Sequence, residues 1–243
     1  MTSVTSSAPT VVLVHGAFAD AGSWGAVTDR LLSAGVQVLA PVNPLRGLAS
    51  DSAYVASVCA QIDGPVLAVG HSYGGAVITN AAASTANVVG LVFVAGFAPD
   101  EGETLTEVEG TSRDSALGSA LLFRQFPTGS NGDSATELYV NPQAFRAVFA
   151  GDLPAAQAAV LGASQRPVSA SAFDEKTGTA AWKTLPSWAV VATGDKAAGA
   201  DVILSMAKRA NAEITELDGS HLVMLSQPAA VTEVILHALR AVS

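Results

Sequence analysis

Pro65-Val66-Leu67-Ala68-Val69-Gly70-His71-Ser72-Tyr73-Gly74-Gly75-Ala76-Val77-Ile78-Thr79-Asn80 is the stretch on which the fold turns. Its first five residues form an apolar run with the composition of a buried strand, and Ala76 to Ala83 suit a helix. Between them stands the G-x-S-x-G pentapeptide Gly70-His71-Ser72-Tyr73-Gly74. Alone it is common chance sequence; between a strand and a helix it is the arrangement of a nucleophile elbow. A chain that reverses so sharply holds its serine at a strained φ/ψ and needs glycines where a Cβ would clash. The reversal lifts the Ser72 hydroxyl above the sheet. It also sets the Tyr73 amide at a helix N-terminus, where a developing negative charge is favoured.

A serine hydroxyl is a poor nucleophile until a base takes its proton. Of the four histidines, His15 ends the strand-like Val11–Val14, and His71 is too close along the chain to face the hydroxyl beside it. His237 falls in the last amphipathic helix, where a surface or interhelical role fits. His221 lies in Asp218-Gly219-Ser220-His221-Leu222, between the strand-like Glu213–Leu217 and the closing helix. That loop suits a base reaching over the carboxyl edge of a parallel sheet.

The base needs an acid to fix its tautomer and stabilise its protonated form. Trp188–Thr193 reads as a buried strand with Gly194-Asp195 at its end, which makes Asp195 the candidate. Asp100, after the strand Val88–Ala95, is the backup. Asp201 fits better as the cap of a helix through Val202, Ile203 and Met206. Asp218 is explained by turn chemistry.

Nearer the N-terminus, Val11-Val12-Leu13-Val14-His15-Gly16-Ala17-Phe18 is a strand running into a glycine turn. With this element in view, the chain resembles the α/β-hydrolase superfamily, closest to a small six-stranded branch of methyl esterases, hydroxynitrile lyases and bacterial esterases. The blocks that carry the resemblance run nearly end to end. They are His15-Gly-Ala-Phe-Ala-Asp-Ala-Gly-Ser-Trp24, Gly70–Ala76, Phe93–Gly102, Pro186–Lys196 and Ser220–Pro228. The order Ser72, Asp195, His221 is that superfamily's order. The resemblance implies a second oxyanion donor after the first strand, by position the amide of Ala17, beside Tyr73 N–H. Phe18, His15 and Leu222 become the candidate substrate-contacting residues. The branch's lyases carry a threonine after the first-strand histidine and a lysine after the catalytic histidine; here those places hold Gly16 and Leu222. Leu222 supplies no cation for departing cyanide, which disfavours lyase chemistry. Ser72 excludes the aspartate-nucleophile mechanism of related epoxide hydrolases and dehalogenases.

The chain has 243 residues, 49% of them hydrophobic and only 14% charged, with a net charge of −9. One α/β domain with an insertion is the natural count. The acidic balance argues against nucleic acid and anionic membrane as partners. The single cysteine, Cys59, has no internal disulfide partner and sits at core spacing with Val55 and Ile62. The polar Met1–Pro9 lacks the regions of a signal peptide, so a cytoplasmic location is expected. No metal-ligand spacing, P-loop or dinucleotide fingerprint appears, and no cofactor or metal is expected. The oligomeric state stays open, a homodimer included.

Up to residue 98 the pattern alternates regularly. Strands are predicted at Val11–Val14, Val36–Ala40, Val66–Val69 and Val88–Ala95, with helices near Trp24–Ser33, Asp51–Ile62 and Gly75–Ser84. Right-handed crossovers and a parallel sheet follow. The early first strand leads to the expectation that the two antiparallel edge strands of larger relatives are missing. From Pro99 to Leu185 the pattern breaks, with no strong strand and short helical candidates such as Pro142–Phe149 and Pro154–Ser164. Such a connection calls for a function; in this fold it would be a lid over the serine. It holds Phe123, Phe126, Phe145, Phe149, Phe173 and Trp182, mostly packing the lid onto the sheet. Ala98–Glu103 reads as its hinge, with solvated acidic residues.

The expected architecture is therefore an α/β-hydrolase fold, mostly parallel and about six-stranded, with helices on both faces. The core spans 1–98 and 186–243; a helical lid at 99–185 is inserted after the fourth strand. The expected chemistry is two-step hydrolysis of a small-to-medium hydrophobic ester, thioester or lactone, with Ser72, His221 and Asp195 as the triad. C–C bond or biosynthetic hydrolysis and cofactor-free haloperoxidase or perhydrolase chemistry remain alternatives. A hydroxynitrile lyase or a ligand receptor lies further from the motifs.

Overall fold

The computed structural model describes residues 8–129 and 131–243. The signal-peptide reading falls largely on Met1–Ser7, outside the described residues. Nine strands are found among them: β1 (Thr10–Val14), β2 (Val38–Leu39), β3 (Val66–His71), β4 (Val88–Val94), β5 (Leu121–Pro127), β6 (Ser134–Val140), β7 (Val168–Ser169), β8 (Ser187–Ala192) and β9 (Glu213–Leu217). Six of them form one sheet in the order β2-β1-β3-β4-β8-β9, parallel throughout. Parallel neighbours need crossovers, and helices Gly25–Ser33, Leu48–Ala60, Tyr73–Ala83 and Ala200–Arg209 supply four of them. Helix Gly25–Ser33 packs against the C-terminal helix Pro228–Ala241, and Leu48–Ala60 against Tyr73–Ala83. Right-handed crossovers put these two pairs on opposite faces.

Covered on both faces, β1, β3 and β8 bury every residue. Each fully buried Val or Leu among them contributes ~1.5–3 kcal/mol over its exposed state. Edge strands β2 and β9 are half exposed, and the run expected over Val36–Ala40 keeps only two paired residues. The chain steps from β1 outward to β2 and returns to place β3 on the other side of β1. That reversal opens a crevice at the carboxyl ends of β1 and β3, where ligands bind in open α/β sheets. The loop His15–Phe18 and Ser72 both emerge there.

Between β4 and β8 the chain leaves the sheet. This insertion holds helices Pro142–Phe149 and Ala155–Ala163, as expected, and several shorter turns. It also holds an antiparallel sheet in the order β5-β6-β7, which corrects the expectation of a helical segment without a strong strand. Two seven-residue strands pair from Leu121↔Val140 to Pro127↔Ser134. The sequence hides them because β5 is an edge strand without inward–outward alternation, and it ends on a proline. On β6 the buried Glu137 breaks the apolar pattern; its carboxylate receives Arg46 at 3.1 Å.

The insertion is fastened to the core at several points. Phe173 stacks on Tyr73 with ring centroids 5.9 Å apart, and Trp182 Nε1–H ties the insertion's two ends together by donating to Pro99 O at 2.9 Å. Ser115 Oγ–H donates to Ala197 O at 2.7 Å. At the hinge, Asp100 pairs with Lys183 at 2.5 Å, joining the insertion's two ends, and Glu103 pairs with Arg209 of the core at 2.6 Å. Both pairs are partly exposed and each is worth ~1 kcal/mol or less.

Candidate active site

Ser72 sits at φ 52, ψ −124, a left-handed conformation that a non-glycine residue holds only when its surroundings impose it. The imposition comes from β3 ending one residue earlier and a helix starting one residue later. Gly74 makes the reversal possible: a Cβ there would run into Val14 O of the neighbouring strand. Gly16 brings the β1 turn against the serine. A Cβ on Gly16 would lie 2.7 Å from Ser72 Cβ and 2.9 Å from His71 Nδ1. Tyr73 N–H is the first helical amide and has no intrahelical acceptor. Among the described residues, no backbone carbonyl takes up the Ala17 amide either. Both donors belong to elements that flank Ser72.

Across from the elbow, His221 Nδ1 lies 2.7 Å from Asp195 Oδ2, with both side chains 1% exposed. A carboxylate only accepts, so Nδ1 carries a proton, and in the neutral ring Nε2 keeps the lone pair. Asp195 is held in turn by the amides of Ala197 and Ala198, which donate to its Oδ1 at 2.8 and 3.0 Å. His221 Nε2 is buried with no hydrogen-bond partner, and the Ser72 hydroxyl is not bonded to it in this conformation. Such contacts are often loose before substrate binds. The rival acids lie elsewhere. Asp100 is taken by Lys183, which holds its carboxyl below the ordinary range. Asp201 does not cap its helix; Gly199 occupies that place, and the Asp201 carboxylate instead receives Ser112 Oγ–H at 2.6 Å and Arg113 N–H at 2.9 Å. Asp218 accepts Gln227 through its backbone carbonyl.

The other histidines are structural neighbours of the site. His71 is fully buried, and its Nε2–H donates to the backbone carbonyl of His221 at 3.0 Å. Burial, with His221 close by, holds it neutral, well below the usual imidazole range. For His15, expected as a substrate contact, the ring nitrogens are turned to the backbone. Its Nε2 accepts Asn43 N–H at 2.9 Å and its Nδ1 donates to Gly16 O at 2.9 Å, so both ring nitrogens brace the turn that presents Ala17. Burial pushes its pKa down to about 4. His237 pairs with Glu213 at 3.1 Å on the surface.

Phe18, at φ 59, and Leu222 line a cavity of about 250 Å³ together with Ser23, Phe145, Leu161 and Leu225. Ser72 and His221 are not among its walls, and both are nearly closed off. A larger open groove lies away from these residues, its charges largely self-paired through Arg209–Glu103 and Arg113–Asp201. Of the insertion's aromatics, Phe149 sets its ring edge on the His221 ring, centroids 4.8 Å apart, and packs on Phe18. Phe123 points to solvent. Sequence reasoning missed Asp152, whose carboxylate receives the amide and hydroxyl of Ser220, next to His221. No local signal marks that pairing. Among the described residues no cluster suits a metal ion, and no helix is long and apolar enough to cross a membrane.

A family model described as the alpha/beta hydrolase family matches residues 11–234. Among solved structures, polyneuridine aldehyde esterase superposes with a TM-score of 0.80 at 22% identity, covering 95% of this chain and 99% of that one. Tomato methylketone synthase I, in complex with 2-tridecanone, gives a TM-score of 0.79 at 20% identity, with 98% and 100% covered. A pyrethroid hydrolase from Sphingobium faniae JZ-2 gives 0.75 at 22% identity, with 96% and 98% covered. At these identities the likeness speaks for the fold. A search of curated proteins finds no significant match.

Proposed function

The chain belongs to the alpha/beta hydrolase family, and from that premise we propose that it cleaves small-to-medium hydrophobic carboxylic esters through an acyl-enzyme on Ser72. The observation that carries the reading is the His221–Asp195 pair, with one imidazole nitrogen fixed as donor and the other left as a buried, unpartnered base. His221 Nε2 takes the Ser72 proton as Oγ attacks the ester carbonyl. The carbonyl oxygen becomes an oxyanion held by the amides of Ala17 and Tyr73, each worth ~3 kcal/mol in the transition state. The imidazolium, stabilised by Asp195, then protonates the leaving alcohol, and water repeats the sequence on the acyl-enzyme.

Residues 99–185 act in this reading as the cap, supplying Phe145, Phe149 and Leu161. The largely apolar cavity beside Phe18 and Leu222 supports a small hydrophobic acyl or alcohol group; its volume falls just below the usual range of ligand pockets. Solved neighbours that include an esterase and a pyrethroid hydrolase point the same way. No cofactor is required, and a cytoplasmic setting goes with the lone buried cysteine.

The test is hydrolysis of 4-nitrophenyl acetate and butyrate by wild type and Ser72→Ala. Turnover in wild type that falls to background in the variant is the expected result. Wild-type rates retained in Ser72→Ala would dismiss the serine. Folded wild type inactive on both esters would move the site to C–C or biosynthetic hydrolysis.

A further inference from the structure

The loop that carries His221 is gripped from two sides. On the sheet side, His71 Nε2–H donates to the carbonyl of His221 itself, and Gly194 N–H donates to Gly219 O at 2.9 Å. On the other side the partners of Ser220 and Leu222 come from the insertion. Leu222 N–H donates to Phe149 O at 3.2 Å, and Ser220 N–H to Asp152 Oδ2 at 3.1 Å. The Ser220 hydroxyl reaches Asp152 Oδ1, with Phe149 O also in range at 3.2 Å. The two residues flanking the base along the chain are thus both tied to the four-residue stretch Phe149–Asp152. Gly219 completes the fit, since a Cβ there would come within 3.1 Å of Asp152 Oδ2.

We propose that Asp152 is a positioning residue for His221, holding the base in register with Ser72 by clamping Ser220 to the insertion. The inference rests on His221 being the base of the proposed reaction. Phe149 offers only a carbonyl, which any residue would provide; Asp152 offers two carboxylate oxygens to adjacent donors of one residue. A charged acceptor serving a backbone amide and a hydroxyl together is the stronger kind of hydrogen bond. Without it Ser220 N–H has no partner and its hydroxyl retains only Phe149 O. The loop then loses the restraint immediately before the imidazole. Because Asp152 belongs to the insertion, any motion of Phe149–Asp152 away from the sheet also shifts the base. Acylation and deacylation both use His221, so the loss falls on kcat whichever step limits turnover, while substrate binding is spared.

The experiment compares Asp152→Ala, Asp152→Asn and Ser220→Ala with wild type in 4-nitrophenyl butyrate hydrolysis. In parallel, proton NMR follows the far-downfield signal of the His221 Nδ1–H donated to Asp195. Asp152→Ala is expected to lower kcat about tenfold with KM changed less than about twofold, and to broaden the downfield proton. Asp152→Asn keeps an acceptor oxygen in place and is expected to restore most of both. Adding Ser220→Ala to Asp152→Ala should cost little more, because the two residues share one interaction. An unchanged kcat and an unchanged proton signal in Asp152→Ala overturn the proposal. So does a loss of thermal stability and KM together with an intact signal, which would make Asp152 merely structural. If wild type turns over no ester, yet the signal broadens in Asp152→Ala and returns in Asp152→Asn, the positioning role stands and the ester reading falls.

Discussion

In the parallel sheet, β1, β3 and β8 bury every residue; in the inserted hairpin, β5 fully buries none of its seven, and Phe123 is 68% exposed. The sheet holds its candidate reactive groups by backbone geometry. Ser72 is fixed by strand and helix on either side, and Asp195 by two amides of its own turn. The insertion acts by contact, through Phe149 on the His221 ring and Asp152 on Ser220. Chemistry placed on the sheet's carboxyl edge therefore has little tolerance for change, whereas the insertion's outer strand has a great deal.

The sharpest contrast is between two aspartates, one at each region. Asp195→Asn leaves the shape but lets the wrong imidazole tautomer form, and kcat is expected to fall by ~10⁴. Asp100→Asn, at the hinge of the insertion, is expected to stay within about twofold of wild type. Rates on 4-nitrophenyl butyrate decide it, and a larger loss at Asp100 would break the assignment of the acid. Next in size is Gly16→Ala. Its Cβ would sit 2.7 Å from Ser72 Cβ and push the Ala17 turn off the serine. Loss of one oxyanion donor costs ~10²–10³ in kcat. A folded Gly16→Ala enzyme at near-wild-type rate would remove Ala17 from the mechanism.

The sheet's burial also sets a response to acid. His15 is held near 4 and His71 well below its ordinary value, both mainly by burial, against an ordinary imidazole value of about 6.5 in the unfolded chain. Because the folded values are depressed, the unfolded chain takes up protons first as pH falls. The stability both residues allow is complete above about 6.5 and falls as pH drops below it; for His15 the loss levels off by about 4. His15 alone accounts for about 3 kcal/mol of that loss. Urea unfolding at pH 7.5, 6 and 5 should show a slope approaching about two protons per molecule. A flat profile across that window would mean that these rings are not held neutral.

The elbow is legible because glycine spacing, a strand and a helix coincide within a dozen residues. Asp195 and His221 are legible because each closely follows a strand, and strand ends converge on one edge of a parallel sheet. His15 shows the limit. Its place at the end of β1 predicts a residue at the mouth of the site, but which way its ring turns depends on Asn43, 28 residues away. Asp152 meets Ser220 across 68 residues, with nothing in either neighbourhood to signal it. The hairpin's outer strand β5 is illegible for a different reason: a strand that is buried on neither face has no period to read.

That last point yields the smallest expected effect, and it lies within one cross-strand pair. Phe123 on β5 stands directly opposite Leu138 on β6, and Leu138 is 5% exposed. If the hairpin shields the core only through its inner positions, the two partners respond very differently to truncation. Leu138→Ala opens a cavity and should lower stability by about 3 kcal/mol. Phe123→Ser removes a ring already in water and should change stability by less than about 0.5 kcal/mol, with kcat/KM unaltered. Urea midpoints and ester kinetics on the two variants measure both. A marked loss of kcat/KM in Phe123→Ser would place this ring over the bound substrate, and the insertion's outer strand would then belong to the site as fully as the sheet does.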